Sequence, residues 1–258
     1  MLWRINMKKV LLLAVMLSLL SGCGAQAAEE TAVPTVPVAT QTLPTEAETL
    51  PAETLQPSTE PPVEPTEPEN TDLVRVADFI PNIRQNLLYA TKDNFTGQQI
   101  YDFADAYLRY GTVKKLKAVC EELEQQGLGI LIWDGFRPLA AQEKLWEICP
   151  DPTYVSHPVT GSRSHCRGSA IDLTLVDLKT GEMLTMPTGF DDFSKLADRD
   201  YSDCSAEAGD NARLLEAVMM KYGFKPYSAE WWHYSDSDEY PVDETFLPER
   251  TVFDGGVG

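Results

Sequence analysis

Histidine is scarce in this chain, with three in 258 residues. Between residues 24 and 72 there is no Lys, no Arg and no aromatic side chain, while half of the chain's 18 prolines fall there among many threonines and glutamates. Such a stretch cannot bury enough apolar surface to offset its ordering entropy, so it is expected to be a disordered, extended linker. None of the five cysteines is spaced Cys-x-x-Cys, which leaves a thiolate zinc site without its usual pattern. The apolar run from Val10 to Leu20 is too short to be read as a membrane-spanning helix. The net charge of −19, shared by the linker and the rest of the chain, argues against a nucleic-acid partner.

What is present divides the chain into three parts. Arg4, Lys8 and Lys9 precede the apolar run, and small Ser21 and Gly22 follow it, which reads as a secretory signal over 1–23. Leu20-Ser21-Gly22-Cys23 resembles the bacterial lipoprotein lipobox. That resemblance implies lipidation at Cys23, export, and attachment to the outer face of a bacterial cell membrane through the lipid anchor only. Several acyl chains at ~0.8 kcal/mol per buried methylene would make the attachment durable. After the linker, residues 73–258 are long enough for one domain with a real core. Export permits disulfides among Cys120, Cys149, Cys166 and Cys204, with three possible pairings.

Within the domain, apolar residues at helical spacing predict a helix from Phe103 to Gln126, stopped by Gly127. Gly129–Trp133 is a short apolar run typical of a buried strand, and Pro138 suits the first position of a second helix reaching about Ile148. Ala170–Val176 reads as a strand, with a hairpin turn at Lys179-Thr180-Gly181 into Glu182–Thr185. Ala206–Tyr222 reads as a third helix before Gly223, and Trp231–Ser235 as a strand after a turn around Lys225-Pro226. Helices and strands are mixed without regular βαβα alternation. The expected fold is α+β, a small, mostly antiparallel sheet flanked by helices.

Two of the three histidines lie in the segments Ser-His-Cys-Arg-Gly-Ser-Ala-Ile-Asp (164–172) and Glu-Trp-Trp-His (230–233). His165, Asp172 and His233 supply three ligands for a catalytic zinc, one short of the full tetrahedral set, leaving a place for water. The small residues Gly168, Ser169 and Ala170 let backbone pass close to a metal. Asp172 sits in an apolar strand, where an unpaired carboxylate is costly to bury. Glu230, beside Trp231 and Trp232, is the candidate general base, since an apolar surround disfavours its charged form and moves its pKa towards the working pH. Because positions three apart on a flat strand face opposite ways, a bend or bulge must bring Glu230 and His233 to one site. Arg137, between a buried strand and a proline-started helix, is a candidate oxyanion stabiliser, with an ion pair to Asp134 as the plain alternative. Cys166 beside His165 also raises a Cys–His nucleophile, disfavoured because neighbours on extended chain point to opposite faces. His157 reads as a surface residue.

With Tyr-Ala-Thr-Lys-Asp-Asn-Phe-Thr-Gly (89–97), Trp-Asp-Gly-Phe-Arg-Pro (133–138) and Tyr-Ser-Ala-Glu-Trp-Trp-His-Tyr (227–234), the segment 164–175 gives four ordered anchors. Together they resemble the D-alanyl-D-alanine dipeptidases of the VanX type, zinc peptidases related to DD-carboxypeptidases. The resemblance covers about residues 85–236. It implies one Zn²⁺ per chain on His165, Asp172 and His233, a catalytic Glu230 and a transition-state Arg137. It further implies that Glu230 takes a proton from the zinc-bound water and passes it to the leaving amine. Tyr89 and Asp191 fall on positions that help bind the substrate's free ammonium, and Ser164 and Arg163 complete the substrate-binding set. The implied substrate is D-Ala-D-Ala or a short D,D-peptide. Arg163 stands where the family has a small residue, and the loop between Trp146 and Ser162 is shorter than in typical dipeptidases. That loop and the expected export keep a D,D-carboxypeptidase trimming peptidoglycan stems in play; a non-catalytic zinc module binding wall fragments is a third reading, disfavoured because Glu230 and Arg137 are both present.

Overall fold

The structure, a computed structural model, describes residues 66–251. The signal segment with Cys23, most of the linker and the last seven residues lie outside the described residues. Ordered contacts begin ahead of the boundary read at residue 73. The Tyr110 hydroxyl donates to Glu67 at 2.7 Å, and the Gly111 amide donates to the Asn70 carbonyl at 3.0 Å.

Seven strands and three helices are described: β1 (Leu73–Arg75), β2 (Arg84–Gln85), β3 (Tyr107–Arg109), α1 (Tyr110–Glu124), β4 (Leu128–Asp134), α2 (Leu139–Ile148), β5 (Ala170–Asp177), α3 (Ala206–Lys221), β6 (Phe224–Tyr227) and β7 (Glu230–Asp236). The main sheet has the order β2-β4-β5-β7-β6, and β1 pairs with β3 in a separate two-stranded ribbon. Only β2 with β4 is parallel; the other pairs are antiparallel. The expected α+β, mostly antiparallel architecture is what forms.

Each element follows from its sequence and its neighbours. α1 buries Val113, Leu116, Val119, Cys120 and Leu123, one stripe at helical spacing. α3 starts at Ser205, whose hydroxyl accepts from the Ala208 amide at 3.2 Å, an N-cap that satisfies an otherwise free donor. It ends before Gly223, whose φ of +88° is the left-handed conformation glycine adopts cheaply at a helix end. α1 and α3 pack on each other and on the sheet.

Three local expectations are corrected. The first helix begins at Tyr110, not Phe103, because Tyr107–Arg109 pairs with Leu73–Arg75. Leu108 is fully buried in that ribbon, so tertiary pairing overrides the helical spacing of Ala106 and Leu108. Lys225-Pro226 lies in a strand and not in a turn. β6 is an edge strand, where a proline's missing N–H is tolerated. The segment after Gly181 contributes a single bridge, Val176 with Met183, and no strand of its own. All four cysteines in the described residues carry free thiols.

β5 is the central strand, and Ala170 to Val176 is buried throughout. It carries the row that builds the site: Asp172 lies opposite Asp134 on β4 and opposite His233 on β7. Two irregularities make that row. β4 shifts register between Ile132 and Asp134, so Trp133 is passed over and Asp134 comes level with Asp172. On β7, Glu230 faces Tyr227 while Tyr234 faces Pro226, so Trp231, Trp232 and His233 have no partner in β6. This is the bulge that the Glu230–His233 spacing demands, and both tryptophans are buried in the core beside it.

Candidate metal centre and active site

His165 reaches the row from outside the sheet, on a single 3₁₀ turn of residues 165–167. Gly168 ends that turn at φ +69°, a left-handed conformation that glycine adopts without steric cost, so this tight entry into β5 favours glycine. His165 Nδ1 lies 2.8 Å from the Gly135 carbonyl oxygen. Donating there leaves Nε2 as the acceptor nitrogen, 3.2 Å from His233 Nδ1 and 3.3 Å from Asp172 Oδ2. His233 Nδ1 is 2.9 Å from Asp172 Oδ1, and its Nε2 is 3.2 Å from the Ser235 hydroxyl.

These three side chains offer ligand atoms within 4.8 Å of one another, a grouping that could hold a metal ion. Two nitrogens and a carboxylate oxygen about 3 Å apart match the separation of donors around a tetrahedral ion with bonds of about 2.0–2.2 Å. Each imidazole has its outer nitrogen engaged by a carbonyl or hydroxyl, which fixes the ring with its other nitrogen inward. The donor set is that of zinc. Burial alone would raise the Asp172 pKa, but the two histidines hold it well below the usual carboxylate range.

The cluster opens into a cavity of about 320 Å³ lined by Tyr89, Arg137, Ser164, Asp191 and Glu230 besides the three ligand candidates. The loop before β5 supplies Pro152–Ser156 to its wall, so part of the segment between Trp146 and Ser162 borders the site. Glu230 Oε2 lies 3.9 Å from His233 Nδ1, and its side chain is 25% exposed. Burial pushes the Glu230 carboxyl up to about 7, a value suited to proton transfer near neutrality. Also lining the cavity, Asp191 accepts from the Tyr89 hydroxyl at 2.8 Å. Burial raises its carboxyl to about 7 as well. Its φ of +54° is a left-handed conformation that costs a non-glycine residue energy.

Arg137 is both an ion pair and a cavity residue. Its Nη2 donates to Asp134 Oδ2 at 2.6 Å and its Nη1 to Gln142 Oε1 at 2.9 Å. Asp134 also accepts from the Tyr101 hydroxyl at 2.8 Å and from the Gly135 amide, so its buried charge is fully bonded. Burial disfavours the guanidinium's charge, but Asp134, Tyr101 and Tyr89 outweigh it and hold its pKa above the usual range.

Of the expected site residues, Arg163 is the exception, since it does not line the cavity and its Nε is buried without a partner. Cys166 is fully buried, and burial pushes its thiol up, against a nucleophilic role. His157 Nδ1 accepts from the Val159 and Thr160 amides in its own loop. Sequence reasoning missed Gln142, Tyr101, Tyr154 and Tyr227. Gln142 is the most instructive: it is buried, and its Nε2 donates to the Ser156 carbonyl at 2.6 Å, joining Arg137 to the cavity loop. A polar residue on the buried face of a predicted helix is the signal that would have found it.

The sequence profile of peptidase family M15, described as D-ala-D-ala dipeptidase, matches residues 69–251. The D-alanyl-D-alanine dipeptidase of Escherichia coli (strain K12) is 38% identical over 176 residues, covering 67% of this chain and 90% of that protein. The protein of that name from Enterococcus faecium is 34% identical over 184 residues, covering 64% of this chain and 91% of its own. The one from Streptomyces coelicolor is 33% identical over 200 residues, with coverages of 68% and 96%. With His165, Asp172, His233, Glu230 and Arg137 gathered on one cavity inside the matched region, the chain belongs to the D-Ala-D-Ala dipeptidase family of metallopeptidases.

Proposed function

We propose that this protein is a zinc-dependent D,D-dipeptidase that hydrolyses D-alanyl-D-alanine, with one zinc per chain. The observation that carries the reading is the cavity itself, where Glu230 and Arg137 both border the His165–Asp172–His233 cluster. Zinc held there would polarise the scissile carbonyl and make water a stronger acid. Glu230, with its carboxyl raised to about 7, accepts the proton of the attacking water and returns it to the departing amine. Arg137 faces the developing oxyanion with a fixed positive charge, held in aim by Asp134 and Gln142. Asp191 and Tyr89 lie across the same small cavity and receive the substrate's free ammonium. Ser164 also borders it and is assigned to the substrate's other end.

The expected signal segment and lipobox extend this reading to location: lipidated at Cys23, the enzyme works on the outer face of the bacterial cell membrane, carried on its linker. Metabolic labelling with a radioactive fatty acid tests that part, since Cys23→Ala abolishes incorporation if the assignment holds. The catalytic part is tested by D-Ala release from D-Ala-D-Ala. Zinc-loaded protein turns over, chelation stops it, and Glu230→Ala abolishes it without loss of the metal.

A further inference from the structure

Glu230 and His233 share one site only because β7 bulges, and a bulge leaves backbone acceptors without a neighbouring strand. Residues 231–233 have no register partner in β6. One side chain fills that gap. Arg199, in the loop before α3, reaches in with Nη2 and donates to the Glu230 and the His233 carbonyl oxygens, both at 3.0 Å. Its Nε donates to the Tyr227 carbonyl at 2.7 Å, and its own amide to the Ser228 carbonyl at 3.3 Å. The guanidinium thus occupies the place of the missing strand segment and ties both ends of the bulge to the turn joining β6 and β7.

The fork is itself held from behind. Nη1 donates to Glu216 Oε2 at 2.9 Å, to the Tyr201 hydroxyl at 3.2 Å and to the Tyr234 hydroxyl at 3.1 Å. The side chain is only 10% exposed. A lysine would carry the same charge but not the rigid planar array of donors that spans three carbonyls.

We propose that Arg199 is a positioning residue for the reaction, fixing the backbone at Glu230 and at His233 so that base and metal ligand keep their relative placement. It touches neither substrate nor metal and acts only through those two residues. The proposal rests on the metallopeptidase reading for its kinetic consequence, but its consequence for metal binding stands without it.

Arg199→Met and Arg199→Lys test it in the full protein, with zinc affinity read by competition against a chromophoric chelator. Near-UV circular dichroism of the metal-free protein reports Trp231 and Trp232, which lie between the two clamped carbonyls. Expected are a zinc affinity about 10–100-fold weaker in Arg199→Met, as for loss of other groups that orient ligands, and an altered tryptophan signal. Also expected are a kcat lowered about 10–100-fold with KM changed little, a smaller deficit in Arg199→Lys, and partial recovery of zinc affinity in Arg199→Ala on adding guanidinium ion. If Arg199→Met lowers only the unfolding temperature, leaving zinc affinity and kcat of the folded protein within about twofold of wild type, Arg199 is a structural anchor and the proposal falls. If Arg199→Met does not fold, Arg199→Lys and guanidinium rescue of Arg199→Ala decide by the same zinc readout. Should wild type bind zinc yet not cleave D-Ala-D-Ala, the functional reading fails while the zinc comparison still judges Arg199.

Discussion

The Arg137 guanidinium donates to Asp134 at 2.6 Å, yet still borders the cavity that holds the metal-ligand cluster. The ion pair and the proposed catalytic role are therefore compatible, because a charge aimed by a buried carboxylate needs no reorganisation when an oxyanion forms. Lysine cannot bond Asp134 and Gln142 with that geometry. Arg137→Lys is expected to lower kcat about 10²–10³-fold, in line with loss of an oxyanion donor, while zinc affinity stays near that of wild type. Steady-state kinetics beside a chelator titration check both halves.

Glu230 carries a second prediction. As the proposed base it acts ionised, and burial raises its carboxyl to about 7; a bound cation can only lower that value. kcat/KM of wild type should therefore fall as pH drops, with the acid limb at or below about 7. Glu230→Gln should lose about 10²–10⁴-fold in kcat, the usual worth of a general base, and retain zinc. An unchanged acid limb in the residual activity of that variant would assign the limb to another group.

Asp191 couples the site to stability. Its carboxyl is raised to about 7 in the fold, against about 3.9 in an unfolded chain. Between those values the folded state binds the extra proton, so stability falls as pH rises, and the loss is complete above about 7. Asp191→Asn removes the ionisation. In the metal-free protein it should gain roughly 1–3 kcal/mol over wild type at pH 8 relative to the difference between the two at pH 4, measured by urea unfolding. The same substitution should raise KM, since the ammonium loses its counter-charge. A difference between variant and wild type that is the same at both pH values would contradict the first half.

Much of the site was legible because its residue types are rare and costly. Three histidines leave few choices, and a carboxylate inside the apolar run Ile171–Leu175 asks for a partner. Among the small residues beside His165, Gly168 takes a left-handed φ of +69° in the turn that leads into β5. Illegible were the features set by lateral pairing. The register shift at Trp133 depends on β5, and the ribbon that shortens α1 depends on Leu73–Arg75, more than 30 residues away. The need for a bulge between Glu230 and His233 could be read from their spacing, but not the group that holds it. Arg199 lies in an irregular loop among aspartates, where an arginine reads as an ordinary surface charge. Arg163 is not among the residues that line the cavity, and its Nε is buried without a partner.

Substitution of one proposed metal ligand gives a third kind of test. Asp172 is buried and lies within 3.3 Å of the inward nitrogens of both histidines. Asp172→Asn keeps the shape and loses the charge that makes the donor set attractive to a divalent cation. The variant should lose zinc under dialysis that leaves wild type loaded, as elemental analysis would show. Retention of a full equivalent would mean that the metal is held by other groups.

The central claim is that this cavity cleaves the free dipeptide. Zinc-loaded protein should be given D-Ala-D-Ala and a stem pentapeptide ending in D-Ala-D-Ala, at equal concentrations, with D-Ala release followed by time. Release from the dipeptide is expected with a kcat/KM well above that for the pentapeptide, abolished by chelation and restored by zinc. Release from the pentapeptide alone, or none from the dipeptide with zinc bound, would contradict it.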